Sequence, residues 1–207
     1  MTAPGFCMLL RKHIGGGRIT AVSHPSLERI IHLDIEHLDE MGDLCKKKLI
    51  IEIMGKHSNI IFTDADGTII DSIKHISHQV SSVREVLPGR TYVYPPAQEK
   101  ENPLDIDINY FMNHVLRKPV SVTKAIYTSL TGLSPVIANE ICYRAGVDGG
   151  MSTAGLSMQE QEDLYAAFDA MRTSIKEEQC APCIAYQGYA PKEFAACRLT
   201  MYGEEEE

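Results

Sequence analysis

Apolar positions recur at helical spacing at the start of the chain. Phe6, Leu9, Leu10 and His13 fall at i, i+3, i+4 and i+7, and Gly15-Gly16-Gly17 ends the run. This predicts a short amphipathic helix stopped by glycine. The period then shortens to two. Arg18–Ser23 and Arg29–His37 read as strands, the second setting Ile31, Leu33 and Ile35 against His32, Asp34 and Glu36. A polar turn through Asp39–Asp43 leads to a strand over Lys47–Met54. The turn Gly55–Asn59 leads to Ile60–Thr63, and Asp64-Ala65-Asp66-Gly67 leads to Thr68–Ile73. Short extended runs joined by tight turns predict a meander of antiparallel strands.

Leu87–Pro103 carries four prolines and little periodicity, so it reads as a loop or linker. Beyond it the helical period returns over Asp107–Leu116 and Ser121–Leu130. A third helix is capped by Ser134, starts at Pro135 and stops before Gly146. Ser157 and Glu160 form a capping box for a fourth, with Leu164, Phe168, Met171 and Ile175 as its apolar stripe. Ala185–Tyr189 and Phe194–Tyr202 look extended again and are expected to return to the β unit. The predicted division is a β-rich core over 1–103, a helical module over 104–179, and returning strands with an acidic tail over 180–207. The fold class is α+β, an antiparallel sandwich or barrel-like unit with a helical module inserted or appended.

At 207 residues with a 44% hydrophobic share, the chain can fill a core. No apolar run approaches the ~18 residues of a membrane span. Met1-Thr2-Ala3-Pro4-Gly5 shows no signal-peptide pattern, so a cytoplasmic protein without membrane contact is expected. The six cysteines are then better read as reduced thiols than as disulfides. Residues 1–100 hold 12 basic and 12 acidic groups, so the net charge of −8 lies in the second half, four of its acids in the terminal Glu204–Glu207 run. Non-specific nucleic-acid binding by bulk charge is therefore not expected, and any RNA contact needs a local basic face.

Asp64-Ala65-Asp66-Gly67-Thr68 copies the opening motif of haloacid-dehalogenase-type phosphatases, in which two aspartates act over Mg²⁺. Asp-Gly between apolar runs is also a strong hairpin signal, and the alternating β and α units of a parallel sheet are missing, so the hairpin is preferred. Cys180-Ala181-Pro182-Cys183 has CxxC spacing but no second pair, and His13, His57, His75 and His78 share no ligand frame. No metal or cofactor is expected. Thr131-Gly132-Leu133-Ser134-Pro135 joins two helices in the outline of a helix-hairpin-helix, whose turn can present N–H groups to a phosphate backbone. Arg29 beside Glu28 could clamp a phosphate. The run Ile50–Asn59 ends in a glycine turn loaded with Lys56, His57, Ser58 and Asn59, a donor-rich crossing suited to an acidic partner.

Several of these pieces occur together in one family. Phe6-Cys7-Met8-Leu9-Leu10-Arg11-Lys12-His13, Glu28-Arg29-Ile30-Ile31, Glu52-Ile53-Met54-Gly55-Lys56-His57-Ser58-Asn59-Ile60-Ile61, Ile70-Asp71-Ser72-Ile73-Lys74-His75, Leu87-Pro88-Gly89 and Pro95-Pro96 resemble the N-terminal domain of NFACT proteins. That family includes bacterial RqcH, often labelled fibronectin-binding protein A, and eukaryotic NEMF. The resemblance implies a fold like the N-terminal domain of MutM-type glycosylases, without their chemistry and not an enzyme. It implies a role in ribosome-associated quality control: binding a large ribosomal subunit blocked by peptidyl-tRNA and recruiting tRNA for an alanine-rich tail made without mRNA. The family's Asp-Arg pair for tRNA contact falls on Glu28 and Arg29, and its Glu-Ile-Met segment on Glu52, Ile53 and Met54. Lys56 and His57 would support Arg29 as phosphate-facing donors. An extracellular-matrix partner follows only from the old family label. Compared with the family pattern, both ends of the chain are expected to be truncated. The rival readings are the Mg²⁺-dependent phosphatase and a fibronectin-binding adhesin.

Overall fold

The computed structural model describes residues 4–96 and 99–203. The chain divides into two compact units between residues 97 and 98. The first unit is built on a five-stranded antiparallel sheet in the order β1-β2-β3-β4-β5, and the second is mainly helical with a two-stranded sheet. The mixed α+β class and the antiparallel meander expected from the sequence are what forms.

In the first unit α1 (Gly5–Ile14) places Arg11 and Lys12 in its last turn, where cations complement the helix dipole. The strands follow: β1 (Arg18–Ser23), β2 (Ile30–Leu38), β3 (Leu44–Glu52), β4 (Asn59–Asp64) and β5 (Ile69–Ser72). β3 begins three residues earlier than the sequence pattern predicts. The added residues pair with the end of β2, Leu44 opposite Leu38, Cys45 opposite His37 and Lys46 opposite Glu36, and the cross-strand ion pairs Lys46–Glu36 and Lys48–Asp34 lie at 3.6 and 3.4 Å. Such opposite-charge pairs favour a register even though each contributes little on an exposed face. Between β2 and β3, Asp39 Oδ1 accepts from the Met41 and Asp43 amides and shapes the turn.

Alternation puts Ile30, Ile50, Ile61 and Ile69 in one cluster with Val86, and Met54, Ile76 and Tyr92 pack against it. After β5 the chain folds back along that strand. The Ile69 amide donates to Arg90 O and the Gly89 amide to Ile69 O, each at 2.8 Å, so the outer edge of β5 is occupied. The opposite edge strand, β1, has all six residues exposed.

His32 lies opposite Ile50 and is only 8% exposed. Its ring stacks on Tyr94 at 5.8 Å, and its Nε2 has no hydrogen-bond partner. Burial, then the nearby Lys48, pulls its pKa below 6.5 against an upward pull from Asp34. The folded imidazole is therefore held neutral while the unfolded one protonates, so stability falls as the pH drops below 6.5. His13 shifts in the same direction, from burial and then Lys12. His32→Phe keeps the stacked ring without the orphan nitrogen. It is expected to be more stable than the parent at about pH 5.5, with a shallower loss between about pH 7.5 and 5.5. Urea titrations at both values check this; an unchanged slope would assign the dependence to other groups.

The second unit contains α2 (Ile108–Tyr110, continuing with π winding over Phe111–Val115), α3 (Val122–Ser129), α4 (Pro135–Ala145) and α5 (Met158–Lys176). The regular helix predicted over Asp107–Leu116 is thus a wider coil, and Phe111 and Val115 are both fully buried. Phe111 stacks on Phe168 of α5 at 4.9 Å. Burying each such ring stabilises by roughly 1.5–3 kcal/mol. The capping box predicted at Ser157 and Glu160 is present, as is Gly146 at φ 70° beyond α4, a conformation that favours glycine. The last residues pair with each other: β6 (Cys183–Gln187) and β7 (Ala190–Ala195) form a hairpin sheet of their own. A 3₁₀ turn over Thr200–Tyr202 follows where the sequence pattern looks extended.

Candidate nucleic-acid interface

The antiparallel pairing of β2 with β3 brings the start of one strand beside the end of the other. Ile30 lies opposite Glu52, and the Ile53 amide donates to Arg29 O at 2.8 Å. Residues 28–29 and 52–57, far apart in sequence, therefore share one end of the sheet. Glu28 and Arg29 are exposed there, and neither side chain forms an ion pair among the described residues.

Beyond β3 the chain turns sharply. Gly55 sits at φ 56°, and the His57 amide donates to Met54 O and that of Ser58 to Gly55 O, each at 3.0 Å. Ser58 Oγ closes the turn by accepting from the Met54 amide at 2.9 Å. Asn59 then ties this turn to the segment after β5, accepting from the Lys74 amide and donating to Lys74 O, both at 2.9 Å. Lys74 Nζ donates to Lys56 O at 3.1 Å. Lys56 and His57 themselves are exposed, so their side chains face solvent from a turn held by at least four hydrogen bonds.

The seven residues singled out by sequence do not share one environment. Glu28, Arg29, Ile53, Lys56 and His57 are exposed. Met54 is half-buried and packs against the isoleucine core. Glu52 has no exposed side-chain surface. Its Oε1 accepts from Arg84 Nη1 at 2.8 Å and from the Tyr92 hydroxyl at 2.9 Å, and its Oε2 accepts from Arg84 Nη2. A carboxylate sealed and bonded in this way has no oxygen to offer a ligand in solution. Burial lowers the Arg84 pKa, but the hydrogen bond and charge of Glu52 outweigh it and the net shift is upward. Burial and then the Glu52 charge also raise the Tyr92 phenol. Arg84 and Tyr92 went unseen in the sequence because no local spacing links them to Glu52.

The other candidate motifs also have definite places. Asp64 begins the β4–β5 hairpin, its Oδ1 accepting from the Asp66 amide at 3.0 Å and the Thr68 amide at 2.8 Å. Gly67 at φ 85° completes that turn. Every strand pair of the sheet is antiparallel, so the Asp64–Thr68 motif is a hairpin rather than the loop after a parallel strand. Cys180 is exposed, Cys183 Sγ donates to Cys197 O at 3.3 Å, and burial raises the thiol pKa of Cys197. Among the described residues no group of three or more His, Cys, Asp or Glu could hold a metal ion.

The predicted helix-hairpin-helix is formed by α3 and α4, with Gly132 at φ 77° in the connection. Ser134 Oγ caps α4 by accepting from the Ile137 amide. The Thr131 amide is already engaged by Glu101 O at 2.8 Å, so fewer turn N–H groups are available to a phosphate than the sequence outline implies. No helix of the described residues is long and apolar enough to cross a membrane.

The chain is 45% identical over 145 residues to the Rqc2 homolog RqcH of Bacillus subtilis, covering 70% of this chain and 25% of that protein. It is 37% identical over 192 residues to the Rqc2 homolog RqcH of Streptococcus pneumoniae, covering 92% and 31%. The chain thus spans about a quarter to a third of the length of these relatives. A solved structure described as the fibrinogen binding protein from Staphylococcus aureus superposes with a TM-score of 0.78 at 28% identity, over 99% of this chain and 70% of that one. Residues 1–207 match the family model described as NFACT N-terminal and middle domains, and the chain therefore belongs to the NFACT family.

Proposed function

We propose that this chain is the RNA- and ribosome-binding module of a cytoplasmic ribosome-associated quality control factor. In this reading it engages a large ribosomal subunit obstructed by peptidyl-tRNA and helps recruit tRNA for template-free C-terminal alanine tailing. The module itself binds rather than catalyses. The observation that carries the reading is the end of the sheet where Arg29 stands exposed, with no ion pair among the described residues, beside the held turn bearing Lys56 and His57. Unpaired guanidinium and ammonium groups on a rigid backbone suit phosphate oxygens, because no existing ion pair has to be broken and little backbone freedom is lost on contact. The names of the relatives, both Rqc2 homologs, agree with this assignment. With the first hundred residues electrically neutral, recognition rests on shape and a few directed contacts.

The test is tRNA binding by fluorescence anisotropy at two salt concentrations. Arg29→Ala is expected to weaken binding by roughly 1–3 kcal/mol, as for loss of one charge-assisted contact, and to reduce the salt slope by about one phosphate contact. An unchanged affinity would remove Arg29 from the interface. The likeness to solved proteins described as binding fibrinogen or fibronectin favours one second reading, an adhesin for an extracellular-matrix protein. Saturable binding of fibronectin or fibrinogen in the same assay, with no binding of tRNA, would favour it.

A further inference from the structure

We propose that Glu52, Arg84 and Tyr92 form a buried positioning knot for the interface, and that Glu52 acts through Arg84 and Tyr92 instead of touching the ligand. The inference rests on the tRNA reading above and assigns the part of the site that no exposed residue supplies.

Glu52 is the last residue of β3, and the next amide, that of Ile53, is bonded to Arg29 O. Whatever fixes Glu52 therefore fixes the backbone that carries Arg29 on one side and leads into the Lys56–His57 turn on the other. Arg84 supplies that restraint. Its guanidinium meets the carboxylate as a fork, one nitrogen to each oxygen, and its Nη1 also donates to Val93 O at 2.8 Å. Tyr92 adds its hydroxyl to Glu52 Oε1, and its ring centroid lies 6.0 Å from the Arg84 guanidinium carbon. The knot thus joins three stretches: the β3 end, the segment at Arg84, and the segment Tyr92–Val93. A planar fork on a carboxylate accepts one arrangement only, so it sets geometry more sharply than an apolar contact does. The Arg84 side chain is 11% exposed and Glu52 fully covered, which leaves Glu52 no face for RNA and Arg84 little of one. Both are positioning residues.

The experiment uses the 207-residue chain with a labelled tRNA as probe. Arg84→Met and Glu52→Leu each strand one charge, and each is expected to weaken binding roughly tenfold or more. The triple variant Glu52→Leu/Arg84→Met/Tyr92→Phe removes all the stranded groups and refills the volume. It is expected to return binding to within about threefold of the parent, with the salt slope unchanged because no phosphate contact is lost. A triple variant that is folded by circular dichroism yet as weak as Glu52→Leu would overturn the proposal, since Glu52 would then be needed for itself. So would a drop of about one in the salt slope of Arg84→Met, which would place Arg84 on a phosphate. Hydrogen exchange keeps this result separate from the tRNA reading. In Arg84→Met the Ile53 and His57 amides should exchange faster while Ile61, mid-sheet, stays protected. If the parent binds no tRNA, the functional reading fails, and continued protection of Ile53 and His57 in the variant would sink the knot as well.

Discussion

Arg84→Met is expected to destabilise the sheet unit by about 3–5 kcal/mol, the cost of leaving a buried carboxylate without its partner. Glu52 would keep only the Tyr92 hydroxyl, in a site with no exposed surface. The physical asymmetry is sharp: the pair costs desolvation to assemble, but half a pair costs more, because the remaining charge has neither water nor counter-ion. Urea denaturation of parent and variant measures the loss. The triple apolar variant is expected to recover most of it, as buried ion pairs replaced by well-packed apolar groups often do. A single variant within about 0.5 kcal/mol of the parent would place Arg84 among ordinary surface residues.

The second large effect lies in the helical unit. Glu140 of α4 is fully buried, and its Oε1 accepts from Arg144 Nε, from the Thr200 hydroxyl and amide, while its Oε2 accepts from the Met201 amide at 3.0 Å. One carboxylate thereby anchors the 3₁₀ turn that follows the β6–β7 hairpin, helped by Arg144 donating to Arg198 O. Burial alone would raise the Glu140 pKa, but the donors from Thr200, Arg144 and Met201 outweigh it and hold it below 4.5. A depressed carboxylate pKa adds stability that is present above the unfolded value and lost as the pH falls through the folded one. Glu140→Gln turns an amide group toward N–H donors and is expected to cost about 2–4 kcal/mol at neutral pH. The variant should also lose less stability than the parent on acidification below about pH 4.5. Thermal unfolding across that range reads both. Equal slopes in the two proteins would show that Glu140 titrates alike in the folded and unfolded chains.

What was legible in the sequence was local. Ser134 with Pro135, Ser157 with Glu160, and Gly146 all act within a few residues, and each appears as its spacing predicts. The Asp64–Gly67 turn follows the same logic: a side chain bonding amides two and four residues ahead belongs to a hairpin, whatever enzyme motif it copies. Short extended runs and tight turns gave the meander, but the alternation expected in β2 has the wrong phase: Ile30, His32, Ile35 and His37 are buried, while Ile31 and Leu33 are only partly covered. The resemblance in Glu52–Ile61 and its companion blocks gave the family, which no single period could have done.

The remainder was decided in three dimensions. Sequence placed Glu52 beside Ile53 and Lys56 as if all three faced one way, yet strand alternation and the folded-back segment turn Glu52 inward and leave Ile53 and Lys56 out. Its partners lie 32 and 40 residues along the chain, and those of Glu140, apart from Arg144 one helical turn away, lie 60 and 61 residues away. Periodicity and capping rules reach only a few positions because they describe one element's own geometry. A buried charge finds its partner through packing between elements, so which carboxylates meet solvent and which hold the fold together is settled only when the strands and helices have been brought into contact.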